Sequence, residues 1–199
     1  MSSREPSPRR QPKGDKRERT RAALLEAARV LVREKGYERT TIEEVARRAG
    51  MTTGAIYGNF KNRDELFIAL GQTYWAPVRP KIKPGATFGE AMHALAKATL
   101  AAVDERTPVA VGRLTGLAYA LKNRDLRLRV HEITKSSYEF GAEWLRTFEP
   151  GQLPMKPEHL VCVLHALIEG LVMQRILTPE LCPDEVFYDA FAALAASTQ

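Results

Sequence analysis

The chain has 199 residues, of which 44% are hydrophobic, and this is enough apolar material for a packed core and excludes a globally disordered chain. The net charge of +6 lies in the first part of the sequence: residues 1–75 contain 16 Lys and Arg against 10 Asp and Glu, whereas residues 76–199 contain 14 of each. A small basic part beside a larger neutral part suggests a polyanionic partner for the small part. Charge alone leaves a solvated basic tail as an equal alternative.

The N-terminal residues 1–14 are polar and rich in Pro and Arg, so we expect a disordered basic arm without the apolar stretch of a signal peptide. The two cysteines, Cys162 and Cys182, form no CxxC motif and fit a reducing compartment. The longest apolar segment, residues 160–173, contains His165 and Glu169 and is expected to be too short to span a bilayer. We therefore expect a cytoplasmic protein with no membrane partner.

Four helices are predicted in the first domain, which we place at residues 15–75. Asp15 begins a helix with one apolar stripe, and Gly36 ends it, because glycine readily adopts the left-handed conformation of a helix C-terminus. A capping-box pattern at Thr41 begins a second helix that ends at Gly50. Residues 53–60 and 62–75 are predicted to form the third and fourth helices.

Prolines at positions 77, 80 and 84 predict a break between two domains, since proline disfavours helix both at its own position and before it. The remainder, residues 76–199, has the spacing of five more helices, beginning near Thr87, Thr107, Asp125, Leu160 and Val186. No segment alternates like a strand. The sequence thus predicts an all-α protein of about nine helices, with a small N-terminal domain and a larger C-terminal domain.

Two short helices joined by a glycine turn, with a helix before them, are typical of a three-helix, helix-turn-helix DNA-binding unit. In such a unit the N-terminus of the last helix enters the major groove, and the small residues at 52–55 permit close approach to base edges. Tyr57 offers a hydroxyl for a phosphate, and Lys61 and Arg63 add positive charge at the next helix.

The stretch GYERTTIEEVARRAGMTTGAIYGNF at residues 36–60, continued by KNRDEL, resembles the DNA-binding signature of tetracycline-repressor-like (TetR-family) regulators. The resemblance covers about residues 16–70. It implies a homodimer, an all-helical second domain with a ligand cavity, and repression that a ligand relieves. This chain has Arg63 where lysine is usual and Lys61 where a turn residue is usual, so either cation is a candidate phosphate contact.

The predicted DNA contacts all lie between the first and fourth helices. They are Thr40, Thr41, Thr52, Thr53, Gly54, Ala55, Tyr57, Asn59, Lys61 and Arg63. Thr40 and Thr41 are equally explained as helix caps, and Tyr57 also has an interpretation as a core residue. The expected partner is a double-stranded DNA operator with a pseudo-palindromic sequence.

The second domain is predicted to form a dimer and to bind a lipophilic or aromatic effector. Residues 160–177 are apolar nearly all round, so the interface is expected at Leu160, Leu164, Ile168, Leu171, Phe187 and Phe191. Burial inside one chain is the alternative for this helix. Aromatic and polar side chains suggest an effector site at Phe88, Met92, His93, Leu117, Tyr138, Phe140, Trp144 and His165, each of which is also explained as a core or interface residue.

Enzyme signatures are missing from the sequence, so no catalytic residue, cofactor or metal site is predicted. The stretch at His131 begins like the HExxH zinc motif, but Lys135 stands where the second histidine ligand belongs. The alternative function is an all-helical small-molecule-binding protein that acts without sequence-specific DNA binding.

Overall fold

The structure is a computed structural model that describes residues 13–75 and 77–196. These residues form nine α-helices, three short 3₁₀ turns and no strand, which confirms the predicted all-α fold. The helices are α1 (Lys13–Lys35), α2 (Ile42–Arg48), α3 (Thr53–Tyr57), α4 (Arg63–Tyr74), α5 (Phe88–Arg106), α6 (Ala110–Lys122), α7 (Arg124–Leu145), α8 (Pro157–Leu177) and α9 (Asp184–Ala196).

The helix ends differ from the prediction in three places. Helix α1 already includes Lys13 and Gly14, which were assigned to the basic arm, while the rest of that arm lies outside the described residues. Helix α3 ends at Tyr57, three residues early. Thr107 and Pro108 do not begin a helix independently: they form a 3₁₀ turn that joins α5 to α6 without a loop, and the Thr107 hydroxyl donates to the carbonyl of Val103.

Local chemistry fixes the turns of the N-terminal domain. Gly36 and Gly50 have φ of 85° and 66°, a backbone region that disfavours residues with a Cβ, and these glycines end α1 and the turn after α2. Thr41 caps α2 in a complete capping box with Glu44. The predicted apolar stripes face inward, with Leu24, Val45 and other residues of α1–α4 in one core.

The first core does not end at the domain boundary. Val109 and Ala110, from the turn before α6, and Val172 of α8 belong to the same cluster as the apolar residues of α1–α4. A second cluster joins α5, α8 and α9, and its centre includes Phe187 and Phe191. Val103 of α5 packs against both clusters, so the two domains share one continuous apolar interior.

Helices α4 and α6 run antiparallel and touch through glycines. A Cβ at Gly112 would lie 2.6 Å from the carbonyl oxygen of Phe67, and a Cβ at Gly71 would lie 2.8 Å from the backbone nitrogen of Arg113. Such contacts are shorter than packed carbon atoms allow, so only glycine permits the two backbones to approach this closely. The small residues therefore set the position of α4 on the second domain.

The six residues predicted for a dimer interface are instead buried within the single chain. Leu160, Leu164, Ile168 and Leu171 form the inner face of α8, and Phe187 and Phe191 are the fully buried residues of α9. The physical reason is that α5 covers this face: it contacts both α8 and α9. Any partner subunit would have to use the outer faces of these helices.

One helical segment among the described residues, Pro150–Leu177, is long and apolar enough to cross a bilayer by length and composition alone, which the sequence analysis did not expect. Core helices of globular proteins have the same composition, and α8 here buries one side against α5.

We predict that Gly112→Ala destabilises the protein, because the added methyl group must push α4 away from α6. Overpacking of this kind costs about 1–3 kcal/mol, which exceeds the gain of about 1 kcal/mol that alanine normally brings to a helix. Thermal unfolding should show a lower Tm, by about 2–4 °C for each kcal/mol. Gly89→Ala is the control, since nothing lies within 4 Å of a Cβ there, and it should leave the Tm unchanged or raise it. A Tm for Gly112→Ala equal to that of Gly89→Ala would refute the tight contact.

Candidate DNA-binding surface and ligand cavity

The N-terminal end of α3 presents small side chains to solvent. Thr52 is the N-cap of this helix, and Thr53 and Gly54 follow it in the first turn, all three exposed. Ala55 is half-buried. Tyr57 is 58% exposed although it stands at the end of a helix whose Ile56 is fully buried, so it belongs to the surface and not to the core. These residues therefore form a surface that is free to approach a ligand as large as DNA.

Three of the residues predicted to contact DNA instead donate side-chain hydrogen bonds to backbone carbonyls within the protein. The buried hydroxyl of Thr40 donates to the carbonyl of Gly36 at 2.9 Å. The Asn59 amide donates to the carbonyl of Ala55 at 2.8 Å. The Arg63 guanidinium donates to the carbonyl of Tyr37 at 2.7 Å. These three side chains position the turns around α3.

Arg63 also stacks on aromatic rings. Its guanidinium carbon lies 4.4 Å from the ring centre of Tyr37 and 4.6 Å from that of Phe67. A cation enclosed by two rings and hydrogen-bonded to backbone carbonyls is a structural group. Lys61, two residues earlier, is exposed, and only its backbone N–H is engaged, donating to Glu65 at 2.7 Å.

Thr41 is exposed at the start of α2, where its hydroxyl accepts from the backbone N–H of Glu44 at 3.3 Å. An ion pair with Lys35, aided by the backbone N–H of Thr41, lowers the pKa of Glu44 to about 2. The carboxylate therefore stays ionised at neutral pH. It lies in the first turn of α2, where it interacts favourably with the positive end of the helix dipole. The Thr41 hydroxyl is thus engaged in this cap, although the residue as a whole is exposed.

A cavity of about 420 Å³ lies in the second domain, a volume within the usual range for small-molecule sites. Four of the eight predicted effector residues line it: Tyr138, Phe140, Trp144 and His165. Apolar residues of α7, α8 and the segment 77–82 make up much of the remaining wall, and Trp75, just after α4, closes one side. The cavity therefore touches the helix that leads directly to the DNA-binding domain.

The other four predicted effector residues lie elsewhere. Phe88 and Met92 are buried where α5 packs on α9, and exposed His93 stacks on Tyr188 of α9 with ring centres 5.1 Å apart. This part of α5 thus faces α9, while Leu95 and, at the end of the helix, Arg106 reach the cavity. Leu117 is half-buried on α6, outside the cavity lining.

A charged cluster that the sequence analysis missed forms one end of the cavity. The indole N–H of Trp75 donates to both carboxylate oxygens of Glu169, at 2.6 and 2.8 Å. The guanidinium groups of Arg106 and Arg113 reach the same carboxylate at 3.3 and 3.4 Å. Both guanidiniums also lie over the Trp75 ring, at 4.8 and 5.7 Å from its centre. The signal available in the sequence was Glu169 itself, an acid inside an otherwise apolar helix.

Beside this cluster lie Tyr138 and His165. The Tyr138 hydroxyl is 3.4 Å from Nδ1 of His165 and donates to Cys162 Sγ at 3.7 Å. Burial, with the Cys162 thiol as a second cause, raises the pKa of Tyr138 to about 12, so the phenol stays protonated. Burial also lowers the pKa of His165 from its usual value; the negative charge of Glu169 opposes this effect, and the positive charges of Arg113 and Arg106 add to it. Both side chains are therefore neutral hydrogen-bonding groups at neutral pH.

A second, more open hollow of about 610 Å³ lies along α7 and shares Val130, Thr134, Tyr138 and Val161 with the first.

Within the part of the chain that the structure describes, no group of three His, Cys, Asp or Glu side chains is arranged to hold a metal ion.

Residues 24–70 match the family model described as bacterial regulatory proteins, tetR family. The transcriptional regulator TtgR of Pseudomonas putida is 47% identical over 51 residues, which are 26% of this chain and 24% of TtgR. The transcriptional repressor AcnR of Corynebacterium glutamicum is 37% identical over 59 residues, 30% of this chain and 31% of AcnR. The chain thus spans only a quarter to a third of these two relatives, and the match is confined to the DNA-binding end.

Likeness over the whole chain comes from the fold. A transcriptional regulator from Rhodococcus sp. RHA1 superposes with a TM-score of 0.71 at 20% identity, covering 89% of this chain and 95% of that one. At this identity the likeness shows a shared fold, including the helical second domain. Residues 24–70 are thus similar to the DNA-binding domain of the tetR family, and the whole chain shares the two-part helical fold of the solved regulator.

Proposed function

We propose that the protein is a homodimeric transcriptional repressor that binds a pseudo-palindromic DNA operator in the cytoplasm and leaves it when a lipophilic effector enters the cavity. The observation that supports this proposal best is the path of α4. Its first turn is tied through Arg63 to the turn between α1 and α2 in the DNA-binding domain, and Trp75 after its last turn lines the cavity. One rigid helix therefore connects both sites.

The exposed face of α3 supports the DNA-binding part of the proposal. Thr53 and Gly54 are small enough for close approach to base edges in the major groove, and Thr53 offers a methyl and a hydroxyl group there. Tyr57 and Lys61 offer a hydroxyl and an ammonium group to phosphates without giving up a contact within the protein. The matched relatives, a transcriptional regulator and a transcriptional repressor, agree with this use of the domain.

The outer faces of α8 and α9 support dimer formation. Val163, Ala166, Gly170 and Leu177 follow one another along α8 at helical spacing, and all are exposed, as is Val186 of α9. Small side chains such as Ala166 and Gly170 let two helices approach closely, and a two-fold axis would place each face on its own copy. The operator itself requires two recognition helices related by such an axis.

Effector control follows from differential affinity. A ligand releases the operator only if it binds the conformation that cannot contact DNA more tightly, and a tenfold preference is equivalent to about 1.4 kcal/mol. Helix α4 is the element that both sites can bias, since α6 holds it along its length: Tyr119 of α6 donates to Asp64 in the first turn of α4, and Gly112 contacts it near its end.

We predict different outcomes for the two cations near α3. Arg63→Ala should lower the free energy of unfolding by about 2 kcal/mol, because it removes a charge-assisted hydrogen bond and two ring contacts from a half-buried position. Lys61→Ala should change it by less than about 0.5 kcal/mol. In DNA titrations at several salt concentrations, Lys61→Ala should reduce the slope of log K against log salt by about 2 for the dimer. If Lys61→Ala has the same slope as the unaltered protein, Lys61 does not contact DNA.

Footprinting on the DNA upstream of its own gene should reveal a protected, two-fold-related site whose half-sites are about 34–36 Å apart, or a multiple of this. Tyr57→Phe should weaken binding to every sequence by about 0.5–1.5 kcal/mol per protomer, since it loses one phosphate hydrogen bond. Thr53→Ala should instead change the preference among half-site sequences. Binding that depends on salt but not on sequence would contradict the proposal.

Ala166→Arg should convert the dimer to a folded monomer, because it places a charge at the centre of the outer face of α8. Sedimentation at micromolar concentration measures this, and circular dichroism checks that the helices remain. Ala101→Arg makes the same change at an exposed position of α5 and should stay dimeric. If both variants sediment like the unaltered protein, or if the unaltered protein is a monomer, this interface is wrong.

A further inference from the structure

We propose that the natural ligand of the cavity is a lipophilic carboxylate whose anionic head binds Arg113 beside Trp75 and whose apolar part lies between α7 and α8. This inference rests on the proposed effector site and specifies the chemistry of its ligand. It depends on the distribution of charge and apolar surface inside the cavity.

The charges at the closed end of the cavity do not balance. Glu169 is the sole acid among the described residues that line the cavity, and two guanidiniums, those of Arg106 and Arg113, reach it. The third arginine of the lining, the exposed Arg79, lies elsewhere, 4.6 Å from the ring centre of Phe140. The two oxygens of Glu169 are already occupied by the Trp75 indole and by both nearer guanidiniums. Arginine does not lose its proton in proteins, so a net positive charge remains beside an apolar space.

Arg113 is the group that lacks an acceptor. Its hydrogen bond to Glu169 is long, at 3.4 Å, and its Nε is buried with no hydrogen-bond partner. A buried donor without a partner is costly, and a second carboxylate next to this guanidinium would supply acceptor oxygens and the missing negative charge together. Half-buried Arg113 lines the cavity, so a ligand that enters the cavity meets it.

The rest of the cavity suits a hydrocarbon or an aromatic ring. Away from the charged end most of the wall is apolar, with the hydroxyls of Thr134 and Ser137 and the exposed Arg79 over the Phe140 ring as polar groups; the apolar side chains are Ile133, Phe140, Trp144, Val161, Leu164 and Ile168. Such walls bury apolar surface, and none of these groups is an acid that would pair with a ligand cation. A single anionic head on an apolar body therefore matches both ends of the cavity.

An organic cation fits less well, although aromatic rings often bind one. Trp75, the ring nearest to Glu169, already has two guanidiniums over it. A ligand cation near Glu169 would lie next to Arg106 and Arg113.

Arg113 also connects such a ligand to α4. Its backbone nitrogen is the atom that lies closest to Gly71 of α4, and its side chain reaches into the cavity. A carboxylate that competes for Arg113 weakens the hold of this arginine on Glu169, which in turn holds Trp75. The anionic head of the ligand thus binds at a place where α4, α6 and α8 meet.

The test uses the full-length protein and matched probes, measured below their micelle concentrations: decanoate, decanol and decyltrimethylammonium, together with 4-phenylbutyrate and 4-phenylbutanol. The chain has two tryptophans, Trp75 and Trp144, and both line the cavity, so intrinsic fluorescence reports binding directly. At least one carboxylate should bind about tenfold or more tightly than its alcohol, a difference of about 1.4 kcal/mol. Decyltrimethylammonium should bind more weakly than decanoate.

Arg113→Gln should abolish the preference for carboxylate over alcohol while the alcohol still binds. Because the measured quantity is a ratio, a general loosening of the cavity would not mimic this result. Arg113→Lys, which keeps the charge, should retain part of the preference even if the glutamine variant folds poorly. Arg124→Gln is the matched control at an exposed position of α7, outside both hollows, and should keep the full preference.

Two results would overturn the inference. One is equal or tighter binding of the alcohols or of the cation than of both carboxylates. The other is a carboxylate preference that Arg113→Gln leaves intact. The footprint tests the repressor proposal separately. If a footprint is present, either of these results refutes the ligand class alone. If no footprint is found but carboxylates bind as expected, the repressor proposal is refuted and the ligand class stands.

Discussion

The carboxylate of Glu169 is the interaction on which the arrangement of the second domain depends. A half-buried charge in an apolar helix is unfavourable unless donors surround it, and here they come from three other elements. Trp75 follows α4, Arg106 ends α5, and Arg113 lies in the first turn of α6. No one of these helices could shift without leaving a charge or an indole N–H unpaired, so the cluster holds the cavity wall and the end of α4 in one geometry.

The glycine contact between α4 and α6 provides the second constraint on α4. A side chain at an interface can change rotamer and absorb a small displacement, but the backbone atoms at Gly71 and Gly112 have no such freedom. A shift of α6 must therefore move α4. Because Arg113 follows Gly112 directly, the residue that binds Glu169 and the residue that contacts α4 share one turn of helix, and a change at the cavity has a short physical route to α3.

The sequence predicts much of this fold because the relevant signals are local. Capping boxes at Thr41 and Thr87 begin helices where the structure has them, and the stripes of α1–α4 face the core as their periodicity indicates. Periodicity does not predict which face of α8 is buried, because this helix is apolar on most of its circumference. The pattern showed that the helix must be covered, but only packing against α5 decides that Leu160 faces inward and Val163 outward.

The charged end of the cavity was not predictable in the same way. Arg106 and Arg113 are 63 and 56 residues away from Glu169, and nothing near either arginine in the sequence distinguishes it from an ordinary surface residue. Glu169 was different, since an acid within a long apolar segment must find partners wherever that segment is buried. Glu169 alone thus already indicated a charged site beside this helix. The identity of its partners depended on how α5 and α6 cross α8, which the sequence does not show. A cavity assigned from its aromatic residues alone is expected to take any lipophilic molecule; the two arginines gathered around one acid make it selective for an anion.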